Sequence, residues 1–160
     1  MIRRLALLLV PLATTGCLTL SLLLHPPPRL SRCAGAIPST SALPSGDLGW
    51  RDRVRYRGGE VDTGFTLVAE KRGARLVLVG LNAFGARAFS VTQEQQQVEA
   101  DARLGRALQV PPETVLRDWH ALRAAGTDPP ATFELARPEC GYVATFAAES
   151  NRPLSASPSP

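Results

Sequence analysis

The chain has 160 residues, 44% hydrophobic and 20% charged, with a formal net charge of +4 carried almost wholly by arginine; Lys71 is the single lysine. That length suits one small domain with tails, and the apolar share excludes a chain disordered throughout. Many of the 14 prolines sit outside the packable part, at Pro26-Pro27-Pro28 and from Pro153 to Pro160. Segments of that kind read as linker and disordered end.

The first 24 residues read as a targeting segment. Arg3 and Arg4 form a positive start, Leu5 to Val10 an apolar core, and Thr14, Thr15 and Gly16 precede Cys17. This is the pattern of a secretory signal peptide. Leu12-Ala13-Thr14-Thr15-Gly16-Cys17 resembles a bacterial lipobox, with Thr14 where a branched aliphatic is usual. The resemblance implies cleavage before Cys17 and a lipid on its thiol. Leu18 after the cysteine implies sorting to the outer membrane, facing the periplasm. The other reading is an uncleaved inner-membrane signal anchor, because Leu5 to Leu24 is long enough to span as a helix of ~20 residues. Both readings export the domain, so nucleic acid is not an expected partner. The expected organisation is a signal peptide over 1–16, a lipid-anchored proline-rich linker over 17–48, a domain over 49–147 and a disordered tail over 148–160.

Gly49 to Arg57 is the first expected strand. Arg51, Arg53, Arg55 and Arg57 alternate, so they share one face, with Asp52, Val54 and Tyr56 on the other. Four guanidinium groups in a row suit a phosphate or carboxylate, such as a lipid head group. They equally suit an edge strand guarded by charge. Gly64 to Gln93 reads as three strands with turns at Arg72-Gly73 and Asn82-Ala83-Phe84-Gly85-Ala86. The middle strand, Leu76 to Leu81, has no polar face: Leu76 and Leu78 point one way, Val77, Val79 and Leu81 the other. Such a strand needs cover on both sides, or an apolar neighbour that is not protein. A weaker strand is expected around Val98. Val110-Pro111-Pro112-Glu113 opens a helix with an apolar stripe of Val115, Trp119 and Leu122 beside Leu116, stopping near Gly126. Thr132 to Arg137 and Tyr142 to Ala147 are two further short strands.

Chemistry is sparse in this pattern. There is no Gly-x-Ser-x-Gly elbow, no His-Glu-x-x-His and no phosphate loop. His25 and His120 form no ligand set with the cysteines, so neither a metal nor a cofactor is expected. No catalytic residue is assigned, and the protein is expected not to be an enzyme. Export permits a disulfide between Cys33 and Cys140; two separate thiols fit as well.

The run from Leu76 to Val91 contains Gly80-Leu81 followed by Phe84-Gly85-Ala86-Arg87-Ala88-Phe89. Downstream stands Pro111-Pro112-Glu113-Thr114-Val115-Leu116-Arg117-Asp118. Together these resemble the signature of a family of uncharacterised bacterial lipoproteins, a domain of unknown function of the 3261 type. The resemblance implies a fold like the lipoprotein carriers LolA and LolB: an α+β domain whose curved antiparallel sheet forms a half-open barrel with a helix on its concave face. Some members are encoded with aryl-polyene lipid genes. That implies a protein that places a lipid or lipidated cargo, with strands after the helix short or missing here. The apolar contacts would be Phe65, Val77, Val79, Leu81, Phe84, Phe89 and Trp119. The head-group contacts would be Arg51, Arg53, Arg55 and Arg57. The alternative is an accessory lipoprotein without a ligand, docking on an envelope protein.

Overall fold

The computed structural model describes residues 27–103, 108–124 and 131–153. The expected signal segment, Cys17, His25 and the helix stop at Gly126 lie outside the described residues. Seven strands follow one another: β1 (Leu48–Gly58), β2 (Val61–Arg72), β3 (Arg75–Leu81), β4 (Arg87–Glu94), β5 (Gln97–Ala102), β6 (Thr132–Arg137) and β7 (Tyr142–Pro153). One α-helix, α1 (Pro112–Ala124), separates β5 from β6. Every strand pair is antiparallel, and the strands form one open sheet in the order β5-β4-β3-β2-β1-β7-β6.

Alternation along the strands gives the sheet two unlike faces. The inner face carries Trp50, Val54 and Tyr56 from β1, Leu67 and Ala69 from β2, and Leu76 and Leu78 from β3. Phe89 and Val91 from β4 and Tyr142, Ala144 and Phe146 from β7 complete it. Helix α1 packs here through Val115, Leu116, Trp119 and Leu122, each between 0% and 2% exposed. Trp119 meets Trp50 edge-to-face with centroids 5.2 Å apart. Pro112 suits the first helical position, where its missing N–H costs nothing, and Glu113 and Arg123 match the helix dipole at either end.

Gly80 explains one part of the family-like run. It faces inward on β3, and the Phe89 ring lies where its side chain would be. Only a glycine lets Phe89 reach full burial. Gly85 holds φ +74° in the β3–β4 turn, a left-handed conformation that glycine adopts freely. The Asn82 side chain fixes that turn by accepting from the Phe84 and Ala86 N–H groups at 3.0 Å each.

Three expectations need correction. The supposed linker is anchored from Leu30 onward: Leu30, Cys33, Thr40 and Leu43 are buried. Leu30 N–H donates to Gln109 O at 2.9 Å, and Thr40 N–H donates to Gln95 O at 3.1 Å. This strap runs from the start of α1 to the far end of the sheet. Neither strand after the helix is missing: β6 has the expected bounds, Thr132–Arg137, while β7 runs on past Ala147. β7 has 12 residues and pairs along β1, so residues 148–153 belong to the sheet and not to a tail. Lastly, β1 is no edge strand. It lies between β2 and β7, so its arginines guard no open edge.

Candidate functional site

The outer face of the sheet carries the candidate site. Val68, Val77, Val79 and Leu81 are half-buried there, with no element packed over them among the described residues. Cross-strand register sets Arg51 beside Val68 and Val68 beside Val79, then Arg53 beside Thr66 and Thr66 beside Leu81. A row of guanidinium groups on β1 thus flanks an apolar strip on β2 and β3. Between them lies a groove of about 590 Å³, lined by Arg51, Arg53, Arg55, Gly64, Phe65 and Leu81 among others. That volume is within the usual range for small-molecule sites. Gly64 faces outward opposite Arg55, and its missing side chain opens the groove floor. A larger recess of about 990 Å³ at the opposite end of the sheet is lined almost wholly by polar residues.

The arginines are paired but not saturated. Arg55 donates to both oxygens of Asp62 at 2.7 Å, holding that carboxyl below its ordinary range. Arg57 Nε stands 3.8 Å from the same carboxylate. Arg51 and Arg53 share Glu149, at 3.0 and 2.8 Å. Among the described residues, four cations therefore divide two carboxylates, and the row stays positive. All four arginines are more than half exposed. Exposed pairs of this kind contribute only ~0–1 kcal/mol, so an incoming anion displaces a carboxylate at little cost.

The expected ligand contacts do not converge on one cavity. Val77, Val79 and Leu81 share the outer face. Phe65 points inward, stacking on Tyr56 and meeting Phe89 edge-on, though it also lines the groove. Phe89 and Trp119 are 0% exposed inside the core. Phe84 stands apart at the tip of the β3–β4 turn, 94% exposed. The two apolar sets of β3 are thus unequal: Leu76 and Leu78 are buried in the core, and Val77, Val79 and Leu81 face out, half-buried.

Cys33 and Cys140 are joined by a disulfide, with Cα atoms 5.4 Å apart, tying the strap to the β6–β7 turn. Glu139 lies beside the bridge. With both sulfurs bonded to each other, neither offers the thiolate that a metal needs.

Sequence reading missed three buried polar groups around α1. Asp118 accepts from Tyr56 and Tyr142 hydroxyls at 3.2 and 2.8 Å and from Arg137 Nε at 3.2 Å. Burial, then the Asp118 charge, pushes the Tyr56 phenol well above its ordinary value, and burial also raises Tyr142. Asp118 thus clamps β1, β6 and β7 to the helix. Asp52 and Arg123 form an ion pair at 2.6 Å, both almost wholly buried. Burial shifts each toward its neutral form, against their mutual attraction. The Arg123 guanidinium also lies 5.3 and 5.4 Å from the Trp50 and Trp119 ring centroids. His120 meets Gln93 Oε1 at 2.7 Å through Nε2. The Gln93 amide nitrogen donates to Pro38 O and Gln95 O, so its oxygen must accept, and His120 Nε2 carries the proton. The clue to Asp52 was its phase, shared with Val54 and Tyr56. The clue to Asp118 and His120 was their place beside the Trp119 stripe.

Among curated proteins none matches the chain. Residues 49–123 match the family model described as Protein of unknown function (DUF3261), a span from β1 through α1 that supports placing this part of the chain in that family.

Proposed function

We propose that the protein is an exported, membrane-anchored lipoprotein, non-enzymatic, that meets lipid at the outer membrane through the outer face and the Phe84 end of its sheet. In this reading the sheet is the half-open barrel of a lipoprotein carrier with α1 on its concave side. That side is filled by Trp119, Leu116 and their neighbours, so cargo is held outside it. One observation carries the reading. Phe84 is 94% exposed on a hydrogen-bonded turn, at the same end of the sheet where the described chain begins. Strand direction supports this. β4 starts and β5 ends at that end, and residues 29 and 32 line a recess with Ala102 and the start of α1. Between Cys17 and residue 27 the chain reaches at most ~35 Å. A lipid on Cys17 would keep Phe84 close to the bilayer. A lone exposed phenylalanine flanked by arginines suits the headgroup region, where apolar side chains insert and cations meet phosphates.

The test is Phe84→Trp in the full chain, reconstituted into vesicles of phosphatidylcholine with brominated acyl chains. Trp50 and Trp119 are buried and supply a constant background. The introduced indole should emit at shorter wavelength than in water and be quenched by bromine. Water-like emission without quenching would remove Phe84 from the membrane. The filled inner face also favours the second reading, an accessory lipoprotein that docks on an envelope protein and carries no ligand of its own.

A further inference from the structure

The geometry points to a specific occupant for the outer-face groove: an amphiphile with an anionic head and one medium-length apolar chain. This deepens the reading above and rests on it, because the protein must work beside lipid for such a ligand to be at hand. The head is assigned by charge. Arg51, Arg53 and Arg55 line the groove, and with Arg57 they share only Asp62 and Glu149 among the described residues. A carboxylate or phosphate accepts the guanidinium fork in the same bidentate geometry that Asp62 now shows with Arg55. The tail is assigned by the adjoining strip. Leu81, Val79 and Val77 follow one another on the outer side of β3, with Val68 beside Val79. Four residue steps of an antiparallel strand give ~13 Å of apolar track. β1 and β3 are two strand spacings apart, ~10 Å, so head and tail sit within one small molecule's reach. Gly64 keeps the path between them open. A cation with the same tail is excluded by the arginine row, and free phosphate gains nothing from the strip.

The test uses the full chain in membranes. The probe is a 12-carbon fatty acid bearing a diazirine in its chain, photoactivated and mapped by peptide mass spectrometry. Labelling should fall on β2 and β3 around Thr66 and Leu81. Excess dodecanoate should compete, while inorganic phosphate should not. A matched probe with a trimethylammonium head should label about tenfold less. The double change Arg53→Gln with Arg55→Gln should lower labelling by a similar factor. Arg72→Gln with Arg75→Gln removes equal charge at the far end and should leave it unchanged. Gly64→Ala, whose Cβ would stand 3.3 Å from Val54 O and narrow the groove floor, should also lower labelling, with a chemical melt confirming that the variant is folded. The assignment is overturned if the cationic probe labels as well, if the groove variants label like the parent, or if phosphate competes as strongly as dodecanoate. Labelling confined to the β3–β4 turn would also overturn it, and would leave membrane contact through Phe84 standing.

Discussion

At the scale of single residues, the inner face depends on polar side chains that face one another away from water. His120 shows the consequence most clearly. Burial holds its pKa down at about 4, against an ordinary 6.5. The unfolded chain therefore takes up a proton between those values while the folded chain does not. Stability is full above pH 6.5 and drains as pH falls toward 4. Denaturant midpoints at pH 7.5 and pH 5 should show this loss in the parent. His120→Gln keeps a donor toward Gln93 and should flatten the difference. Equal pH dependence in both proteins would show that His120 does not titrate as described. Gly80 is the complementary case, a residue defined by what it lacks: the Phe89 ring occupies the space.

At the scale of elements, the strands and α1 were legible because their periods are clean. The arginine alternation of β1 and the all-apolar β3 fixed which residues share a face. They did not fix which face of β3 is inside, because both are apolar. Only the match to Trp119 and Val115 decides that, and the match is tertiary. The place of β1 beside β7 was not legible either, since the partner lies about ninety residues away. The length of β7 was hidden because alternation fades after Ala147. The Asp52–Arg123 pair joins β1 to α1, and among the described residues Arg123 Nε and Nη1 have no hydrogen-bond partner. Arg123→Met alone strands a buried carboxylate and should cost about 3–5 kcal/mol in a chemical melt. Adding Asp52→Leu should recover most of that loss, since an apolar pair carries no desolvation penalty. A double variant no more stable than Arg123→Met alone would show that the pair stabilises the fold outright.

At the scale of the whole molecule, the strap decides how the domain is held. Its proline- and serine-rich composition reads as linker, because single burials such as Leu30 and Leu43 leave no periodic trace. The Cys33–Cys140 bridge closes a separation of 107 residues. A loop of that size stabilises by up to about 4–5 kcal/mol in the chain-entropy account. Reduction should lower the melting temperature and speed amide exchange first over residues 29–37. Thr40 and Pro38 stay bonded to the far end of the sheet. Uniform exchange along the strap would contradict the bridge's role in pinning it.

The functional claim is that the outer face holds an anionic amphiphile at the membrane. Its most direct measurement is organic-solvent extraction of the full chain purified from its own membranes, read by mass spectrometry. A noncovalent, singly tailed anionic lipid is expected in near-equal amount to protein, and it should be lost from the Arg53→Gln, Arg55→Gln variant. A clean extract, with an envelope protein copurifying instead, would contradict the claim and leave the docking role.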